Sequence, residues 1–205
     1  MAGPASTNKQ QIRQRARAAR SRLFDRDERS RRIVDQLRRL PAYQSARVIL
    51  FYVSVRDEVA TRELIAQALA EQKQVVVPYC RDGELQLFHL KADDELTTGA
   101  YGILEPSAEL HRQTERRIAV RELDLILVPG VAFDVHGARC GHGKGYYDKL
   151  LQTAKEKTPL IALAFDCQIF PKIPTESHDV FMDKIITEST IYPNKPSLTP
   201  DDRRA

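Results

Sequence analysis

The chain has no tryptophan, two methionines and only three cysteines in 205 residues. Cys80, Cys140 and Cys167 are odd in number, far apart and never in a C-x-x-C pair, which argues against a disulfide framework or a zinc ribbon and leaves them as reduced packing thiols. The five histidines are scattered, with no H-E-x-x-H or comparable spacing, so no transition-metal site is expected. No apolar run approaches the roughly 18 residues that cross a bilayer. The start MAGPASTNKQQIRQ also lacks the apolar segment of a secretory signal. The expectation is a cytoplasmic protein that engages no membrane.

What is present is ordinary for a globular protein, at 42% hydrophobic and 29% charged residues. The reading is one domain over 9–192, with a disordered N-terminus at 1–8 and a flexible, Pro-rich tail at 193–205. The net charge of +4 conceals a strong asymmetry, because twelve Lys or Arg face four Asp or Glu between Lys9 and Arg39 and the remainder is acidic. A basic arm on an acidic body suits an anionic partner. Phe24 is the sole aromatic within that arm, whereas single-strand binders interleave aromatic with basic residues, so no nucleic-acid partner is expected.

Apolar spacing sets the elements. Ile12, Ala16, Ala19 and Leu23 form one stripe of a helix from Lys9 to Leu23, with Lys9, Arg13, Arg17 and Arg20 beside it. Asp25 to Glu28 resembles a capping box that starts a second helix, with Ile33, Val34, Leu37 and Leu40 buried and Pro41 as its stop. ARVILFYVS, the helical pattern of 61–72 and QVVVPY then read as strand, helix, strand, the unit of a parallel sheet. LQLFHL alternates as a strand near an edge, and residues 91–121 show no clear long element. DLILVPG, a helix over 144–156, PLIALAF and a short strand at Lys184 to Thr187 follow. The fold class is a three-layer α/β/α domain with a mostly parallel sheet, whose ligands gather at the carboxyl ends of the strands.

The loop GARCGHGKGYYDKLL, from Gly137 to Leu151, follows such a strand. Gly141, Gly143 and Gly145 alternate around Lys144 and allow close approach of backbone to a phosphate, or form only a tight structural turn. It is neither a Walker A loop, since Gly145 follows Lys144 where Ser or Thr would hold magnesium, nor a G-x-G-x-x-G fingerprint. Asp148 suits either magnesium or the start of a helix. Tyr146 and Tyr147 suit either stacking on a flat ligand or core packing. Glu58, in VSVRDE after the first strand, suits either a heterocycle's paired N–H groups or a helix N-terminal charge.

Taken in order, the start K-x-x-x-R (Lys9, Arg13), VSVRDE, YGILEP, LVPGVAFD, R-x-G-x-G-K-G-Y-Y-D, ALAF and HDVFMDKIITE resemble the 5-formyltetrahydrofolate cyclo-ligase family. The resemblance implies a fold similar to ribose-phosphate isomerases and CoA transferases. It implies conversion of 5-formyltetrahydrofolate, with or without a polyglutamate tail, and ATP to 5,10-methenyltetrahydrofolate, ADP and phosphate, with Mg2+, by a monomer. Lys9, Gln10, Gln11, Ile12 and Arg13, with Arg139, Cys140, Gly141, His142, Gly143, Lys144, Gly145, Tyr146 and Tyr147, would hold ATP. Lys144 and Arg139 would carry the catalysis. Val53, Glu58 and His142 to Tyr146 would contact the folate, and Asp148 and Asp183 would serve magnesium. Some members have Arg at the position of His142, and imidazole near pH 7 supplies no permanent cation. The rival readings are a sugar-phosphate isomerase or CoA transferase, which would consume no ATP, and a nucleic-acid binder using the basic helices.

Overall fold

Three helices precede any described strand, and the first two start differently. The computed structural model describes residues 8–81, 83–99, 104–177 and 179–193. Asn8 caps α1 (Lys9–Ser21): its side chain accepts the Gln11 N–H at 2.9 Å while the Gln11 side chain accepts the Asn8 N–H at 3.3 Å. This reciprocal pairing satisfies donors that a helix start otherwise leaves open. The box expected at Asp25 and Glu28 does not form before α2 (Arg26–Arg38). Asp25 is left-handed, at φ 53°, without a side-chain cap bond, and Glu28 is taken by Arg31 and Arg32 at 2.9 and 3.1 Å. Pro41, expected as a stop, instead opens α3 (Pro41–Ser45), because a first helical turn has no use for the missing N–H.

β1 (Val48–Leu50), α4 (Arg62–Ala70) and β2 (Gln74–Arg81) build the expected unit, with β1 and β2 parallel. β3 (Glu84–Leu90) returns antiparallel along β2. The polar stretch beyond contains a short pair, β4 (Leu96–Thr98) and β5 (Leu104–Pro106), followed by 3-10 turns. Tyr101 to Ile103 of YGILEP lie outside the described residues. β6 (Leu125–Val128) leads into an antiparallel pair, β7 (Ala132–Asp134) and β8 (Arg139–Cys140). α5 (Tyr146–Leu151) covers less than half of the helix expected there. Beyond Leu151 the residues QTAKEKT offer one alanine and no further apolar face, and packing of such a face is what holds a short helix.

β9 (Leu160–Leu163), β10 (Ile169–Phe170), β11 (Lys184–Ile186) and β12 (Ile191–Pro193) follow. Among the described residues, seven strands form the main sheet in the order β12-β11-β9-β6-β1-β2-β3. It is parallel from β11 to β2 and antiparallel at each edge. β12 takes Pro193, which the sequence reading gave to the flexible tail; a proline is tolerated there because the strand is an edge. Residues 194–205 lie outside the description.

Alternation along the central strands sorts the core. Ile49, Val75, Val77, Leu125, Leu127, Ile161 and Leu163 face α2 and α4, whereas Leu50, Val76, Ile126, Val128, Leu160 and Ala162 face α5 and β7. Both faces are dry, which is why these strands read as continuous apolar runs. Each fully buried Val, Leu, Ile or Phe contributes about 1.5–3 kcal/mol. α1 lies apart, packing Ile12 and Ala16 on Val131, Ala132, Ala138 and Cys140. It therefore sits directly against the strand that feeds the glycine loop.

Candidate active site

The glycine loop runs from β8 to α5. Gly143 has φ +99°, a conformation that a side chain would strain. A Cβ at Gly141 would meet Arg139 Nη1 at 2.9 Å, so glycine there lets the guanidinium lie against the loop. Arg139 is buried; Nη1 donates to Pro129 O at 3.2 Å, just past the carboxyl end of β6, and Nη2 pairs with Asp148. Its Nε is buried without a partner, as is the hydroxyl of Tyr147, whose ring stands 5.9 Å from the same guanidinium. Burial, aided by the charge of Glu58, pushes the Tyr147 phenol well above its ordinary value, so it remains a protonated donor.

α1 supports this loop from outside. Arg13 Nε donates to Gly141 O at 2.8 Å, and Lys9 Nζ reaches Asp179 at 2.6 Å and Glu176 at 3.7 Å. Lys144 Nζ stands 5.8 Å from the Tyr146 ring. With only six residues, α5 aligns few peptide dipoles, so the positive field at the loop comes from Arg13, Arg139 and Lys144 rather than from a helix end.

The loop after β1 supplies the carboxylate. Glu58 Oε2 accepts the Val55 N–H at 3.1 Å, and Glu58 Oε1 stands 3.3 Å from His142 Nε2, where an N–H tautomer donates to it. The Glu58 side chain is 8% exposed, so the carboxylate is buried rather than on a solvated rim. Beneath it, the Tyr52 hydroxyl donates to Val59 O at 3.1 Å, and burial, with the Glu58 charge, raises its phenol. The glycine loop and the Glu58 loop thus touch through His142.

Not every expected residue reaches this junction by its side chain. Gln10 is exposed and Gln11 is spent on the helix cap. Ile12 is in the core, and so is Val53. The Cys140 thiol is buried, donates to Lys9 O at 3.7 Å, and is raised by that burial. Asp183 departs furthest from expectation: its Oδ2 accepts the Leu160 N–H at 2.8 Å, at the amino end of β9. Asp148 stands with Arg139 beyond the opposite ends of the strands, so the two carboxylates do not form a joint site. Among the described residues no three His, Cys, Asp or Glu side chains are grouped to hold a metal ion. His178 lies outside the description.

The sequence reading missed a buried ion pair, Arg20 to Asp57 at 3.0 Å. Its signal was available, since Arg20 continues the four-residue spacing of Ile12 and Ala16 and so falls on the helix's inner face.

A parallel sheet covered on both faces, with a glycine loop, cationic side chains and a buried carboxylate gathered at its carboxyl edge, defines a three-layer α/β protein with a candidate site at that edge. A sequence profile of the 5-formyltetrahydrofolate cyclo-ligase family matches residues 5–188, and the chain belongs to that family. It is 35% identical over 156 residues to a probable 5-formyltetrahydrofolate cyclo-ligase of Caenorhabditis elegans, covering 71% of this chain and 75% of that one. The 5-formyltetrahydrofolate cyclo-ligase of Escherichia coli K12 is 30% identical over 156 residues, covering 74% and 84%. The solved structure of the Aquifex aeolicus 5,10-methenyltetrahydrofolate synthetase superposes with a TM-score of 0.81 at 28% identity, covering 93% of this chain and 95% of that one. The family makes this a ligase acting on folate. No described helix is long and apolar enough to cross a membrane.

Proposed function

We propose that this enzyme uses ATP to close 5-formyltetrahydrofolate to 5,10-methenyltetrahydrofolate, releasing ADP and phosphate. The observation that carries the reading is the contact of His142 with Glu58, which puts the cationic glycine loop and a carboxylate into one cleft. An N-formyl group is an amide and a poor electrophile. Phosphorylating its oxygen turns that oxygen into a leaving group, and N10 then closes the ring. Such a transfer depends on positioning and charge neutralisation more than on a protein nucleophile, so it needs no catalytic triad.

The geometry supports a role for each residue. Glu58 presents two oxygens, a match for the paired amino and ring N–H groups of a pterin, once His142 gives way. Arg13, Arg139 and Lys144 face the nucleotide phosphates, and the unpartnered Arg139 Nε and Tyr147 hydroxyl are donors with no acceptor among the described residues. Asp148 fits magnesium, because that ion takes one or two carboxylates and completes its shell with phosphates and water. When bound, the ion neutralises phosphate charge. Asp183 is occupied at the far end of β9.

The direct test is to mix the protein with MgATP and 5-formyltetrahydrofolate and follow the ultraviolet absorbance of the methenyl product. Folded protein that gives no signal would overturn the reading.

A further inference from the structure

We propose that Arg20 is a positioning residue for folate binding, acting through Asp57 on the loop that presents Glu58. The inference rests on the role assigned to Glu58 in the previous subsection. Arg20 Nη2 donates to Asp57 Oδ1 at 3.0 Å, with side-chain exposures of 5% and 19%. Asp57 immediately precedes Glu58, and Arg56 before it is left-handed, at φ 54°. A non-glycine residue in that conformation persists only where the surroundings hold it. Ser54 and Thr61 tie the loop's base by exchanging bonds at 3.0 and 3.2 Å, and Ser30 Oγ accepts the Ala60 N–H at 3.1 Å. These fix the two ends of the loop. The Arg20 to Asp57 pair holds its tip.

The position of Arg20 makes the pair more than a local brace. α1 also carries Arg13, which holds Gly141 O at 2.8 Å, so one helix grips both the glycine loop and the Glu58 loop. Seven residues apart, Arg13 and Arg20 lie nearly two helical turns from each other on one side of α1. Burial works to raise the Asp57 carboxyl, but the bond and charge of Arg20 outweigh it and leave the group below its ordinary value. The pair therefore stays ionised at neutral pH. Arg20 Nε has no hydrogen-bond partner among the described residues, so Nη2 to Asp57 is the side-chain bond by which this guanidinium is held.

The test compares Arg20→Ala, Arg20→Lys and Asp57→Asn with the unchanged enzyme, measuring KM for each substrate, kcat, and amide hydrogen exchange. Breaking the pair is expected to raise the KM for 5-formyltetrahydrofolate about tenfold, the consequence of a modest loss of binding free energy. KM for ATP should stay within about twofold, with Arg20→Lys restoring much of the folate affinity and the amides of Val55 and Ala60 exchanging faster. If Arg20→Ala does not fold, Asp57→Asn decides alone. Unchanged folate KM, or a parallel rise for both substrates, overturns the positioning role. If the unchanged enzyme makes no methenyl product, the functional reading fails instead, and hydrogen exchange at Val55 and Ala60 still decides whether Arg20 orders the loop.

Discussion

Two arginines of this chain are buried against a carboxylate, a face of an aromatic ring and a backbone carbonyl, yet they are finished to different degrees. Arg116, beside the edge strand, donates from Nε and Nη2 to His89 O at 2.9 and 2.5 Å and from Nη1 and Nη2 to Glu95 at 2.8 and 2.6 Å, over the Phe88 ring at 4.3 Å. Every nitrogen of that guanidinium is used. Arg139, at the glycine loop, uses two of its three nitrogens and lies near an equally unpartnered Tyr147 hydroxyl. Buried polar groups are nearly always satisfied, so the first centre is complete as structure, whereas the second keeps donors that, on the proposed function, a ligand's oxygens would take.

The comparison is easiest to break by removing each arginine's region in turn. Arg116→Ala strands Glu95 and opens a gap over Phe88; breaking a buried pair from one side costs about 3–5 kcal/mol. Urea unfolding should show that loss, while kcat per folded molecule stays unchanged; a specific fall in kcat would place Arg116 in the site. Lys144→Ala should do the reverse, lowering kcat by about 10²–10³-fold, the range for losing one charge-stabilising donor, with the melting temperature almost unmoved. Retained activity would remove the glycine loop from the chemistry. Next in size is ligand protection. Saturating MgATP at about 100 times its Kd adds about 2.7 kcal/mol to stability, a gain that Arg116→Ala should keep and Arg139→Gln should largely lose in thermal shift. Glu58→Gln should weaken folate binding about tenfold, roughly the worth of one charged hydrogen bond, and equal affinity by titration would contradict the pterin fork.

What the sequence made legible follows the range of its signals. Strands buried on both faces announce themselves as apolar runs, so ARVILFYVS, QVVVPY, DLILVPG and PLIALAF each contain a strand of the parallel sheet. The glycine loop was visible because close backbone approach needs glycine locally. Two-residue strands such as β8 and β10 carry too few residues for a period to show. Helix spacing could turn Arg20 inward, but which residues pair across the chain left no local trace: Arg116 meets Glu95 at a separation of 21 residues, and Arg20 meets Asp57 at 37. Asp183 shows the same limit, since the motif DKIITE gave its identity but not the end of the sheet at which it would stand. The capping box at Asp25 failed for a related reason, because Glu28 had nearer arginines to serve.

The smallest expected effect sharpens the contrast through pH. Burial works to raise the Glu95 carboxyl, but the Arg116 hydrogen bond, the Lys91 N–H and the Arg116 charge outweigh it, and the group sits below its ordinary value when folded. A carboxylate depressed in this way contributes stability that is fully present above its unfolded value of about 4.3. That contribution is lost as pH falls through the lower folded value, because the unfolded chain then binds the proton more readily. Unfolding free energy should therefore be flat with respect to this group from pH 7 to about 5 and decline below about 4. Glu95→Gln should start lower at neutral pH and decline less steeply on acidification, since the titrating partner of Arg116 is gone. Urea unfolding at three pH values between 7 and 3 measures both slopes. Equal slopes would mean that the saturated arginine centre holds no ionisation-linked stability, and the distinction drawn between it and the glycine-loop arginine would then rest on ligand binding alone.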